Sequence, residues 1–150
     1  MRETITAALQ AATKAQAKRR VSTLRMVSAA IKDRDIAART AGKEQATDAE
    51  LLELFAKMIK QREESQKIYA DAGRAELAAQ EGEEIEIIRE FLPKQLSDKE
   101  MDAAIAETIA AEGATSVRDM GKVMAALKAR YSGQMDFAKA SAVVKAKLSG

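Results

Sequence analysis

Cysteine, histidine, tryptophan and asparagine are all missing from the 150 residues. Their absence removes disulfides, thiol nucleophiles, Cys/His metal sites and any imidazole acid–base group, and with them much of the usual catalytic chemistry. Aromatic residues amount to only 3% of the chain although 47% is hydrophobic, so a core has to be built from Ala, Leu, Ile, Val and Met. Such residues favour closely packed helices. No apolar run approaches the roughly 18 residues that a membrane span requires, and no signal-peptide apolar segment is present, so the expectation is a soluble, cytoplasmic protein without membrane contact.

Proline occurs once, at position 93, inside Phe91-Leu92-Pro93-Lys94-Gln95-Leu96. It cannot continue a helix and disfavours the helical conformation of the residue before it. Ser97-Asp98-Lys99-Glu100 follows with the form of a capping box, so a new helix starts there. The predicted organisation is all-α: an antiparallel block of about four helices over residues 1–92, a hinge at 93–97, and a smaller three-helix domain over 98–150.

Apolar residues at helical spacing fill in the blocks. Ile5, Leu9 and Ala12 mark a first helix and Val21, Leu24, Val27 and Ile31 a second. Nothing between Lys14 and Ser22 breaks the backbone, so one long kinked helix is an alternative. Gly42 suits a left-handed stop, Thr47-Asp48-Ala49-Glu50 is a second capping box, and the helix it opens carries Leu51, Leu52, Phe55, Met58 and Ile59 up to a stop at Gly73. A fourth helix shows Leu77, Glu81, Ile85 and Ile88 on one face. After the hinge, Gly113 and Gly133 end two helices, Ser116 opens the second of them, and Asp136 caps the last.

The net charge of +2 hides a strong asymmetry. Residues 14–43 hold nine Lys/Arg and two Asp, whereas residues 44–92 hold six Lys/Arg and thirteen Asp/Glu, as expected if basic and acidic helix flanks pack together. Residues 113–150 carry seven Lys/Arg against Asp119 and Asp136, with no acidic segment after them. That excess is harder to neutralise internally.

Among candidate chemical groups, the Gly-Lys pairs at 42–43 and 121–122 lack the earlier glycine and following Ser/Thr of a phosphate loop. The carboxylates at 81, 83, 84, 86 and 90 are scattered round a helix, which describes a solvated face better than a metal site. Arg62 and Glu81 each interrupt an apolar stripe, and a charge there must be paired or reach solvent; the expectation is a structural ion pair between them. Gly121 lies inside a helix, where glycine costs about 1 kcal/mol relative to alanine unless another helix or a ligand backbone needs the space. Close helix packing is the first of these expectations. No constellation of nucleophile and base stands out, so no catalytic residue and no cofactor is assigned.

Leu24-Arg25-Met26, Lys57-Met58-Ile59-Lys60-Gln61-Arg62 with Ser65, Tyr69 and Ala72-Gly73-Arg74, Leu92-Pro93-Lys94-Gln95-Leu96, and Asp119-Met120-Gly121-Lys122-Val123-Met124 together resemble the YqeY family of the GatB/YqeY grouping. The second block is similar to the C-terminal tail domain of the B subunit of glutamine-dependent aspartyl/glutamyl-tRNA amidotransferase, and to domains at the N-terminus of some glutaminyl-tRNA synthetases. In those relatives the helical domain helps hold tRNA. The resemblance therefore implies a stand-alone tRNA-binding accessory module linked to tRNA amidation; together with the basic excess of residues 113–150 it makes Lys122, Lys128, Arg130, Lys139 and Lys145 the expected RNA contacts, with Gly121 permitting close approach. It also carries a label of carbon–nitrogen ligase activity with glutamine as amido donor, for which this chain offers no catalytic constellation. The alternative is a helical adaptor that docks on an amidotransferase or synthetase without touching RNA.

Overall fold

The computed structural model describes residues 1–149, so the last residue of the expected second block, Gly150, lies outside them. The order is α1 (Arg2–Lys14), α2 (Lys18–Thr40), α3 (Asp48–Asp71), α4 (Ala75–Arg89), α5 (Asp98–Glu112), a 3-10 turn (Val117–Asp119), α6 (Met120–Arg130) and α7 (Phe137–Ser149). No strand occurs among the described residues, and the chain is all-α as its residues predict. By its internal contacts the chain divides into two units, Met1–Leu92 and Pro93–Gly150.

Helix ends explain most of the punctuation. Gly42, Gly73, Gly113 and Gly133 all have positive φ, between 64° and 87°, at the four stops read from the sequence. α1 ends in the same left-handed turn with no glycine to form it: Gln16 stands at φ 55°, its N–H donates to Thr13 C=O, and the Ala17 N–H donates to Ala12 C=O. The first two helices are therefore separate, broken at Ala15–Ala17. Thr47 and Ser97 form the capping boxes expected of them, each accepting from the N–H of a glutamate three residues on that reaches back. α6 starts four residues after Ser116, because a 3-10 turn comes first.

In the first unit, Ile5, Val27, Leu51, Phe55, Ile85 and Ile88 bring all four helices into one core, with Phe91 and Leu92 packed on it. Each such side chain contributes about 1.5–3 kcal/mol by leaving water. The basic and acidic halves meet as expected, through Arg19–Glu83, Arg20–Glu90, Arg34–Glu50 and Lys43–Glu50. Glu50 is shared most widely: its carboxylate also accepts from the Thr47 N–H and hydroxyl, at 3.2 and 3.1 Å. These contacts hold the Glu50 carboxyl below its usual range, the Thr47 N–H foremost and Lys43 next.

The expected Arg62–Glu81 pair is replaced by another. Arg62 Nε donates to Glu84 Oε2 at 3.2 Å, with the two side chains 13% and 11% exposed, and the guanidinium also donates to Met58 C=O and Met26 Sδ. The reason is the geometry of the α3–α4 hairpin. Arg62 and Glu84 each lie eleven residues from the turn at Gly73, so they face each other, whereas Glu81 is level with the turn of α3 around Ser65. Glu81 is half-buried, and burial first, then the Glu84 charge, push its carboxyl up, while Arg62 pulls it down from a longer range. Leu77, also expected on the buried face, is 36% exposed.

In the second unit, Ile105 of α5, Val123 and Leu127 of α6, and Ala140 and Val144 of α7 are completely buried together. The stretch 93–97 is tied to this unit: the Leu96 N–H donates to Gln134 C=O at 2.8 Å, the Gln95 amide donates to Gly133 C=O, and Leu96 packs on the core.

Candidate nucleic-acid interface

The six residues expected to contact RNA divide between α6 and α7 of the second unit. Gly121 and Lys122 lie in the first turn of α6, Lys128 and Arg130 in its last, and Lys139 and Lys145 on α7. All six are exposed. α7 is aimed by Asp136, whose Oδ1 accepts from the Ala138 N–H at 2.9 Å, and Val123, Leu127, Ala140 and Val144 turn the apolar sides of both helices inward.

Their electrostatic surroundings differ. Lys122 Nζ lies 4.0 Å from Glu112 and Arg130 lies 3.8 Å from Glu107, both carboxylates being on α5, and Lys147 meets Asp102 at 3.1 Å. A count along residues 113–150 misses this neutralisation, because α5 precedes the basic stretch in sequence and lies beside it in space; the whole unit holds nine Lys/Arg against seven Asp/Glu. Lys128, Lys139 and Lys145 have no ion-pair partner among the described residues. Arg130 also sits 5.6 Å over the ring of its neighbour Tyr131.

Gly121 is not where it is for packing. A Cβ built on it meets nothing within 4 Å, so the expectation of close helix packing is overturned and the first turn of α6 is open to solvent. Asp119 already occupies the start of that helix, its Oδ2 accepting from the N–H groups of Thr115 and Ser116 at 2.9 and 3.3 Å. Those bonds, Thr115 first, keep the Asp119 carboxyl below its ordinary range and hence charged, which opposes an anion at Gly121. At Gly82 of α4 a Cβ would lie 2.9 Å from Gln66 Nε2, the far end of a flexible side chain that can move aside, so close packing does not account for that glycine either.

No aromatic ring is exposed: Phe55 is buried, and Tyr69, Phe91, Tyr131 and Phe137 are half-buried. A surface without exposed rings cannot stack bases, and what it offers a nucleic acid is charge for phosphates. Among the described residues no three Asp or Glu side chains converge as a metal ion would need. Among the described residues no helix is long and apolar enough to cross a membrane.

A family profile described as Yqey-like protein matches residues 2–148, from the first turn of α1 to the last of α7. The chain belongs to the YqeY family. That profile spans both units, so the family pattern joins the four-helix unit to the three-helix one. Comparison with proteins of curated function gives no match.

Proposed function

We propose that this YqeY-family chain is an RNA-binding accessory module of the cytoplasm, with tRNA as its ligand class and tRNA amidation as its setting. It holds RNA through phosphates and carries out no catalytic step of its own. The observation that carries this reading is the set of exposed, unpartnered cations Lys128, Lys139 and Lys145 on a unit that exposes no aromatic ring. Lys122 and Arg130 contribute less, since α5 carboxylates stand against both. Binding of this kind is sequence-tolerant and steeply dependent on salt, because each neutralised phosphate releases counterions.

The same neutralised pairs are the observation that favours a second reading, a protein-docking adaptor, since a surface of interleaved charges suits a protein partner. Retention of unmodified tRNA by the full chain at increasing salt separates the two. On the RNA reading, changing Lys128, Lys139 and Lys145 together to Glu weakens retention and lowers the salt slope by roughly one unit per lost contact. Absence of any tRNA binding by the parent protein at about 50 mM salt, where electrostatic binding is strong, leaves the adaptor.

A further inference from the structure

A second basic surface lies elsewhere, on α2 of the first unit. Lys18, Arg25 and Lys32 recur every seven residues along this 23-residue helix, and all three are exposed. Seven residues are two turns, so successive cations stand about 10.5 Å apart and drift only about 20° round the axis per step. They form one edge. The positions between them on that edge are Ser22 and Ala29, both exposed and both small, so nothing projects beyond the cations to hold a partner away.

Pairing distinguishes these cations from their neighbours on the same helix. Arg19, Arg20 and Arg34 are engaged with Glu83, Glu90 and Glu50 of the unit's own acidic helices. Lys18, Arg25 and Lys32 have no hydrogen-bond or ion-pair partner among the described residues. Two carboxylates lie near them on the helix: Asp33, about 100° round from Lys32, and Asp35, about 60° round, which is already bound to Arg2 of α1. The acidic half of the unit thus neutralises the flanks of α2 and leaves its outer edge positive.

We infer that this edge of α2 is a second phosphate-contacting surface, which lies along the backbone of a double-helical stretch of RNA. The inference rests on the RNA-binding reading above and adds to it a contact from the other unit. A line of cations over about 21 Å is complementary to a polyanionic strand, whose phosphates are spaced more closely than the cations, so each side chain finds one without stretching. Duplex RNA is recognised mainly by shape and by backbone contacts, which need no aromatic platform, and the molecule exposes none. A lipid surface fits less well, because the one large apolar side chain on this edge is Ile36, 58% exposed, and the apolar face of α2 is already in the core.

The test uses the full chain and a transcribed tRNA, with affinity followed across a range of salt. In the variant Lys18→Gln/Arg25→Gln/Lys32→Gln the charges go while helix propensity is kept. It should melt with the parent, bind at least about tenfold more weakly near 100 mM salt, and show a salt slope smaller by roughly two to three units. Ala29→Lys, which adds a cation to the same edge, should steepen the slope by about one unit. If the parent binds and both variants share its affinity and slope, the α2 surface is refuted and the second unit alone holds RNA. Failure of the parent to bind at about 50 mM salt overturns the RNA-binding reading itself, and the α2 surface with it. Loss of binding to phosphatidylserine vesicles in the triple variant, with RNA binding unchanged, reassigns the edge to a membrane surface and likewise refutes it.

Discussion

Removing Arg62 should be the most damaging single change among the charged residues, and more damaging than removing its partner. The Arg62 and Glu84 side chains are 13% and 11% exposed, so the pair belongs with buried ion pairs rather than with surface ones, whose contribution is about 0–1 kcal/mol. Arg62→Met leaves Glu84 without a counter-ion and takes away the one cation that draws the Glu81 carboxyl down. A cost of about 3–5 kcal/mol follows. Glu84→Leu leaves Arg62 uncompensated in the same place, but Glu81 is close enough to relieve it, so that variant should lose less. In the double variant only the half-buried Glu81 is left without its cation, and the repulsion of Glu84 is gone as well, so its stability should lie above that of Arg62→Met alone. For a cooperative unit of the size of Met1–Leu92, 3 kcal/mol corresponds to a melting temperature at least about 12 °C lower. The pH dependence has a definite sign. A carboxyl raised in the folded state binds more protons folded than unfolded, so its penalty is full above the folded value and fades as pH falls toward the ordinary carboxylate range. The gap between Arg62→Met and the parent should therefore narrow from about pH 7 to about pH 5. Thermal melts of the two singles and the double at both pH values measure all of this. An Arg62→Met protein within about 1 kcal/mol of the parent would refute the reasoning, since that is the behaviour of a solvated pair.

Two further changes test backbone features. Gly121→Ala puts a methyl group into open space and should stabilise the second unit by up to about 1 kcal/mol, seen as a higher melting temperature; a loss of stability would show an unaccounted contact. Gln16→Gly relieves a left-handed residue that costs about 1–2 kcal/mol, less the greater freedom of glycine in the unfolded chain, for a net gain of about 0.5–1 kcal/mol by urea titration, whereas a destabilised variant would mean that the Gln16 side chain itself contributes.

Most helix boundaries were legible because the residues at them act locally. Thr47, Ser97 and Asp136 offer an oxygen to N–H groups two or three positions on, and Gly42, Gly73, Gly113 and Gly133 take a conformation that other residues resist. The break at Gln16 was open for the same reason: the turn there forms on a residue that does not advertise it. Facing residues were harder. The α3–α4 hairpin sets Arg62 against Glu84, and counting outward from Gly73 gives that pairing, whereas the apolar stripe of α4 read alone points to Glu81. In the candidate interface, exposure of the lysines followed from the pattern of the apolar residues, but neutralisation of Lys122 and Arg130 did not, because it depends on where α5 packs.

The corner between the two longest helices has a consequence for how the first unit assembles. Glu50 joins residues 34, 43 and 47 through one carboxylate, so the end of α2, the loop and the start of α3 are bound within a span of seventeen residues. Closing so short a segment costs little chain entropy and rewards the chain at once with several charged hydrogen bonds. The corner is thus encoded by its own residues and does not wait for Ile5 or Ile88 to arrive from the far ends of the unit. It is one short-range piece of the unit, and the α3–α4 hairpin closed across Gly73, whose helices pack far more closely on each other than α2 does on α3, is another.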